Sequence, residues 1–317
     1  MTKRINKMDT EPSPIGEIIQ KIFQPEGKLL YSDLARLSAL EGDWLTLFKN
    51  KLQNLEAKRR ITLITAMVTL GEEDNTLDFT SIFTHAIDDP EEEVRIKAIE
   101  GLGLEDRYTY VLPILKALKT DDSVEVLAAA TRVLGKFALL AELEELPDIV
   151  AQEIFVTLLE ILQNDREPNL IRGRALESIA PFHQELVGRY IEDFYHSEDP
   201  GIKTSALYAM GRNCDTRWLS ILIDEMQSSV AEFRYEAAQA SGEIADEEAV
   251  PFLIPLLQDK DAQVQEAAIQ SLGKIGGQQA KKALQGLAHA KDARVREAAK
   301  DALAELLTCE DPLSLNL

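Results

Sequence analysis

Val264-Gln-Glu-Ala-Ala268-Ile-Gln-Ser-Leu272-Gly273 returns 31 residues later as Val295-Arg-Glu-Ala-Ala299-Lys-Asp-Ala-Leu303. The shared pattern is an apolar residue, alanine four positions on, an aliphatic residue at +8 and often glycine at +9. Upstream it recurs as Phe233/Ala237/Ser241/Gly242, Ile202/Ala206/Met210/Gly211, Ile171/Ala175/Ile179, Val126/Ala130/Leu134/Gly135 and Val94/Ala98/Leu102/Gly103, with a weaker copy at Thr62/Ala66/Leu70/Gly71. Successive first positions from 62 to 295 are separated by 32, 32, 45, 31, 31, 31 and 31 residues. A fixed period with matched residue types is the signature of a repeat array.

Spacing dictates the unit. Positions 0, +4 and +8 share one face of an α-helix, because steps of three and four residues return to the same side. Alanine at +4 permits close helix approach, and glycine at +9 is expected to end the helix. A second apolar-periodic segment precedes each such helix, as in Ala249-Val-Pro-Phe-Leu-Ile-Pro-Leu-Leu257. Aspartate-rich turns join the two: Asp88-Asp89-Pro90, Asp121-Asp122, Asp199-Pro200 and Asp259-Lys-Asp261. Aspartate caps a helix N-terminus and proline fits its first turn. A basic residue often follows the first apolar position (Arg95, Arg172, Lys203, Arg234, Arg296), which predicts a structural ladder with the preceding aspartates. A helix pair of this size cannot bury its apolar face alone, so the units must stack.

The pattern Asp-Asp-Pro-x-x-x-Val94-Arg95-x-x-Ala98-x-x-x-Leu102-Gly103 and its copies resemble HEAT repeats of the short phycobilisome-lyase-like type, from about Phe79 to Leu307. The tetratricopeptide and ankyrin patterns are absent. The resemblance implies an all-α fold: a right-handed α-solenoid of antiparallel helix pairs, of HEAT-like or armadillo type. It also implies three kinds of role, as scaffold, as chromophore lyase or assembly factor for a tetrapyrrole-binding protein, and as metal-dependent hydroxylase.

Organisation along the chain is expected as follows. Residues 1–14 are polar, carry Pro12 and Pro14, and read as a disordered leader. Residues 15–78 form a helical cap and a degenerate first repeat, with helices at Ile15–Phe23, Leu29–Leu40 and Trp44–Leu55. Residues 79–308 form the array, interrupted near 136–148, where Phe137 to Leu146 and Pro147 fill the long interval. Residues 309–317 are a tail.

Composition narrows the function. Thirty-four Lys and Arg face 55 Asp and Glu, a formal charge of −21. Such a field repels nucleic acid and anionic lipid; the basic clusters Lys58-Arg59-Arg60 and Lys281-Lys282 are short and set among acids. No run approaches the roughly 20 apolar residues of a membrane span. Cys214 and Cys309 are far apart and lack metal-ligand spacing, which fits a reduced, cytoplasmic protein.

Signatures of catalysis are missing. The family's deoxyhypusine hydroxylase branch is known for His-Glu pairs that hold a di-iron centre, whereas here the histidines read His85-Ala, His183-Gln, His196-Ser and His289-Ala. There is no phosphate-binding glycine loop, and no Gly-x-Ser-x-Gly. No residue specifies a bilin. The sequence therefore predicts no catalytic residue, metal ligand or cofactor.

What it predicts is a binding face. In a HEAT solenoid the second helices line the concave side, and positions +2 and +6 point outward there. That row includes Glu177, Tyr208, Tyr235, Gln239, Glu266 and Gln270, with Arg212 adjoining. Tyrosines ringed by charge are typical of binding hot spots. The expected occupant is a basic or amphipathic segment of another protein. Partial packing of Tyr208 and Tyr235 between repeats is the competing reading, while Trp44 and Trp218 are expected in the core.

Overall fold

The computed structural model describes residues 14–24 and 27–310. The expected leader (1–14, apart from Pro14) and the tail beyond Glu310 lie outside the described residues. The described residues contain helices and no strand, and none of the helices is long and apolar enough to cross a membrane. The fold is an α-solenoid of stacked helix pairs. Two compact units divide it, Met1–Leu134 and Gly135–Leu317, with the boundary inside one long helix.

In the first unit α1 (Pro14–Ile22), α2 (Tyr31–Ala35) and α3 (Gly42–Leu52) precede the helices α4 (Ala57–Glu73), α5 (Thr80–Ala86), α6 (Glu92–Leu102) and α7 (Val111–Thr120). Helix α4 packs on α6, as α5 does. The segment Leu29–Leu40 departs from expectation: only Tyr31–Ala35 is helical. The chain reverses at Ala39, which adopts φ 52° and donates its N–H to the Asp78 carbonyl at 2.7 Å. A tertiary backbone bond outweighs local periodicity there.

Helix α8 (Val124–Glu142) runs for 19 residues, with Phe137 and Ala138 fully buried, and takes up much of the long interval. The second unit then contains α9 (Asp148–Gln163), α10 (Asn169–Ile179), α11 (Glu185–Tyr195), α12 (Pro200–Asn213), α13 (Leu219–Glu225), α14 (Ala231–Ile244), α15 (Val250–Leu256), α16 (Ala262–Ile275), α17 (Gly277–Gly286) and α18 (Ala293–Glu310). The second helices α10, α12, α14, α16 and α18 pack each on the next, and α11, α13, α15 and α17 back onto the second helix of their own repeat. Positions 0, +4 and +8 are buried in the copies that start at Val94 to Val264, as in Val264, Ala268 and Leu272, whereas Val295 and Leu303 of the last copy are half-buried and Thr62 of the weak copy is exposed.

Glycine at +9 ends α6, whose C-cap is Gly103, but not the later helices. Helices α12, α14 and α16 continue past Gly211, Gly242 and Gly273 and stop at Asn213, Ile244 and Ile275. The glycines sit where adjacent second helices touch. A Cβ on Gly211 would lie 2.7 Å from the Ala240 Cα, and one on Gly242 within 2.9 Å of the Ser271 Cα. Gly135, Gly211, Gly242 and Gly273 thus each face a small +7 residue of the following repeat, whereas Gly103 faces Val133. The reversal comes three residues later, at Cys214 and Ala245, both left-handed with φ 54° and 57°.

The Asp–Arg ladder exists, with a shifted register. Arg95 and Arg234 grip Asp121 and Asp259 of the following repeat, while their remaining guanidinium nitrogens bond carbonyls of their own turn, Asp89 and Ser228. Arg60 grips Asp89 in the same forward direction. The same carboxylates cap the turn they sit in, Asp259 accepting from the Asp261 N–H. Asp199 and Asp261 take the expected N-cap role on α12 and α16. Two steps replace the forward aspartate, although Arg172 still pairs with the preceding Asp165 at 3.1 Å, as expected. Arg172 stacks on Phe194, and Lys203 pairs with Glu225 at 2.7 Å while lying over the Tyr195 and Phe233 rings.

Trp218 is buried and donates its indole N–H to Asn213, which donates in turn to the Ala180 carbonyl. Trp44 is only half-buried.

Candidate partner-binding site

The second helices of the second unit bring the anticipated residues together. Glu177 stands on α10, Tyr208 and Arg212 on α12, Tyr235 and Gln239 on α14, and Glu266 and Gln270 on α16. Tyr208 is 42% exposed and separates two depressions. On one side lies a hollow of about 270 Å³ lined by Arg212, Tyr235, Gln239 and Gln270. On the other lies a groove of about 540 Å³ that reaches Glu177 and the N-terminal end of α12. Glu266 lies off this centre, lining hollows between α16 and α18.

Contacts between these side chains are loose in the middle and firm at the edges. Gln239 donates to the Tyr235 hydroxyl at 3.3 Å and to Gln270 at 3.5 Å, and Gln270 donates to Glu266 at 3.5 Å. Bonds of that length are weak and readily exchanged for a ligand's. At the margins Arg174 and Ser205 both donate to Glu177, at 2.6 and 2.7 Å, and Lys274 pairs with Glu243 at 2.5 Å. Tyr235 is half-buried, so it serves partly as wall, whereas Tyr208 presents its ring to the opening.

Glu236 lines both depressions. Burial, reinforced by the negative charges of Glu177 and Glu232, pushes its carboxyl up to about 7, and Arg174 offsets this only in part. It makes no hydrogen bond or ion pair to a described residue. Burial also raises the Tyr208 phenol, with Arg212 opposing. Glu236 was not among the residues singled out from the sequence, yet a signal was present. At this +3 position the two flanking repeats carry Ser205 and Ala267, so the carboxylate stands between small side chains. Glu232 and Arg174 were also missed, being outside the +2/+6 rows.

Among the described residues no group of three or more His, Cys, Asp or Glu is arranged to hold a metal ion. His183 instead pairs with Glu142 at 2.7 Å, and His85 faces Gln53 at 3.4 Å. The site offers aromatic surface, carboxylates and amide groups. These are tools of recognition.

The family model for HEAT repeats matches residues 80–153 and 219–304, just over half of the chain. The chain belongs to the HEAT-repeat family. Comparison with curated protein sequences gives no match. Among solved structures this HEAT-repeat protein is similar to yeast importin-β (Kap95p), at 15% identity and a TM-score of 0.53, over 94% of this chain and 47% of that one. It therefore spans about half the length of importin-β. It is also similar to the complex of CpcE and CpcF of phycocyanin lyase from a Nostoc species, at 12% identity and a TM-score of 0.50, over 96% of this chain and 100% of that chain. At such identities the likeness is one of fold.

Proposed function

We propose that this HEAT-repeat protein is a non-catalytic scaffold that holds a basic or amphipathic segment of a partner protein along the second-helix face of its second unit. The observation that carries the reading is Tyr208, an exposed ring between two depressions walled by Glu177, Glu232, Glu236 and Glu243. An aromatic with a polar tip gives contact area at low entropic cost, and such residues dominate binding energy at interfaces. The net charge of −21 favours encounter with basic partners. Importin-β, whose fold is similar, is described in complex with RanGDP and with Nup1, and CpcE forms a complex with CpcF. A protein ligand on this solenoid follows the same use of the fold.

The test is a comparative pull-down from the native host, read by quantitative mass spectrometry, with the wild-type chain and a Tyr208→Ala/Tyr235→Ala variant. A partner retained by the wild type and depleted at least fivefold on the variant is the expected result. An unchanged set of captured proteins sinks the assignment.

A further inference from the structure

A groove runs between α10, α12 and α14. Its wall carries Glu177, Asp199, Glu232 and Glu236, with Arg174 the one basic side chain, and the Tyr208 ring stands at its edge. Two of these acids are already engaged. Glu177 accepts from Arg174 and Ser205, and Asp199 accepts from Asn169 and the Gly201 and Ile202 N–H groups. Glu232 and Glu236, four residues apart on one face of α14, have no hydrogen-bond donor among the described residues. The nearest bases on the adjoining elements do not compensate them: Arg174 is committed to Glu177, and Lys274 to Glu243. Arg212, on the far side of Tyr208, lines only the smaller hollow.

Glu232 is exposed to water, and the half-buried Glu236 carboxylate, with no donor from the described residues, is met by water, a proton or a cation. The choice between cations follows from geometry. A guanidinium is planar, stacks on an aromatic face and donates in parallel to carboxylates on either side, whereas an ammonium is a strongly hydrated point charge. The groove supplies the ring and the flanking carboxylates together.

Building on the scaffold reading, we propose that this groove takes an arginine side chain of the protein partner, its guanidinium over Tyr208 and between Glu232 and Glu236. The titratable and charged groups that line the two depressions with Glu236 are Arg174 and Glu177 from α10, Asp199 from the turn before α12, Tyr208 and Arg212 from α12, Glu232, Tyr235 and Glu243 from α14 itself, and Lys274 from α16. In the free protein burial and the neighbouring acids hold the Glu236 carboxyl at about 7. An entering cation favours the ionised form. Binding therefore strengthens as pH rises towards 7, by at most about tenfold per pH unit for one proton released, and levels off above it.

The experiment uses the full chain and two blocked pentapeptides, one with a single central arginine among alanines and one with citrulline, its neutral isostere, in its place. Affinities are measured by NMR titration at pH 5.5, 6.5, 7.5 and 8.5 for the wild type, Glu236→Gln and Tyr208→Ala. The arginine peptide is expected to bind at least tenfold more tightly than the citrulline peptide at pH 7.5. Its affinity should fall several-fold by pH 5.5, and Glu236→Gln should remove that pH slope while leaving the fold intact. Tyr208→Ala should weaken binding about fivefold. Equal affinity for the two peptides, or a pH slope that persists in Glu236→Gln, overturns the proposal. Should the peptides fail while the double tyrosine variant still loses its partner, the scaffold reading stands and the arginine assignment falls. If the arginine peptide binds but the captured proteins are unchanged, the scaffold reading falls instead.

Discussion

Arg234 and Asp259 meet across the junction of two repeats through paired hydrogen bonds of 2.7 and 2.8 Å, with both side chains below 10% exposure. The arginine comes from a second helix and the aspartate from the turn of the following repeat, which it also caps. The pair therefore fixes the register of one unit on the next. Arg234→Ala leaves a buried carboxylate with a single backbone donor, and the expected loss of stability is about 3 kcal/mol. Urea denaturation measures it, and the Arg234→Ala/Asp259→Ala double variant should lose less than the two singles together.

The same pair sets a pH dependence. The Arg234 hydrogen bonds hold the Asp259 carboxyl below its ordinary range, as Arg95 does for Asp121 against the opposing effect of burial. A lowered folded-state value means stability that is fully present above the unfolded aspartate value near 4 and is lost as pH falls through the folded value. Acid unfolding of the wild type should therefore steepen below pH ~4, and Asp259→Asn should flatten that limb in a pH series of thermal midpoints.

Glu236 behaves in the opposite sense. Its folded value of about 7 lies above that of an unfolded glutamate, so its ionisation opposes folding increasingly as pH rises from the mid-fours to 7. Glu236→Gln should then stabilise the protein by about 1–2 kcal/mol at pH 8, after allowance for partial solvent screening, and by little at pH 4.5. Denaturation at the two pH values decides it.

Backbone packing gives a pair of contrasting substitutions. Gly211→Ala improves helix propensity by about 1 kcal/mol, but its Cβ meets the Ala240 Cα at 2.7 Å. Helix separation should outweigh propensity, for a net loss of about 1–2 kcal/mol. Ala245→Gly relieves a left-handed alanine at φ 57° and should gain about 1 kcal/mol. Chemical denaturation of the two variants should show opposite signs.

These residues mark where sequence reading succeeds and where it stops. The 31-residue period exposed the helix pairs because their burial pattern is periodic along one chain, as Val264, Ala268 and Leu272 show. Gly211 and Gly242 were legible as constrained positions, yet their reason lies in the adjacent helix, which a single helix's pattern does not contain. Arg234 was legible as structural, but its forward register follows from stacking geometry. Tyr208 and Tyr235 were found because outward positions on a second helix follow from period alone. Glu236 was missed because its surroundings are assembled from Glu177 on a helix two repeats away and from the depth of the groove.

The central claim is that partners lie on the second-helix face around Tyr208. A photoreactive benzoylphenylalanine placed at Gln239, and separately at Phe252 on the exposed side of first helix α15, tests it directly in the native host. A partner adduct at position 239 that disappears in the Tyr208→Ala/Tyr235→Ala background is the predicted result. An adduct formed only at position 252, or one at 239 that survives both tyrosine substitutions unchanged, would contradict it.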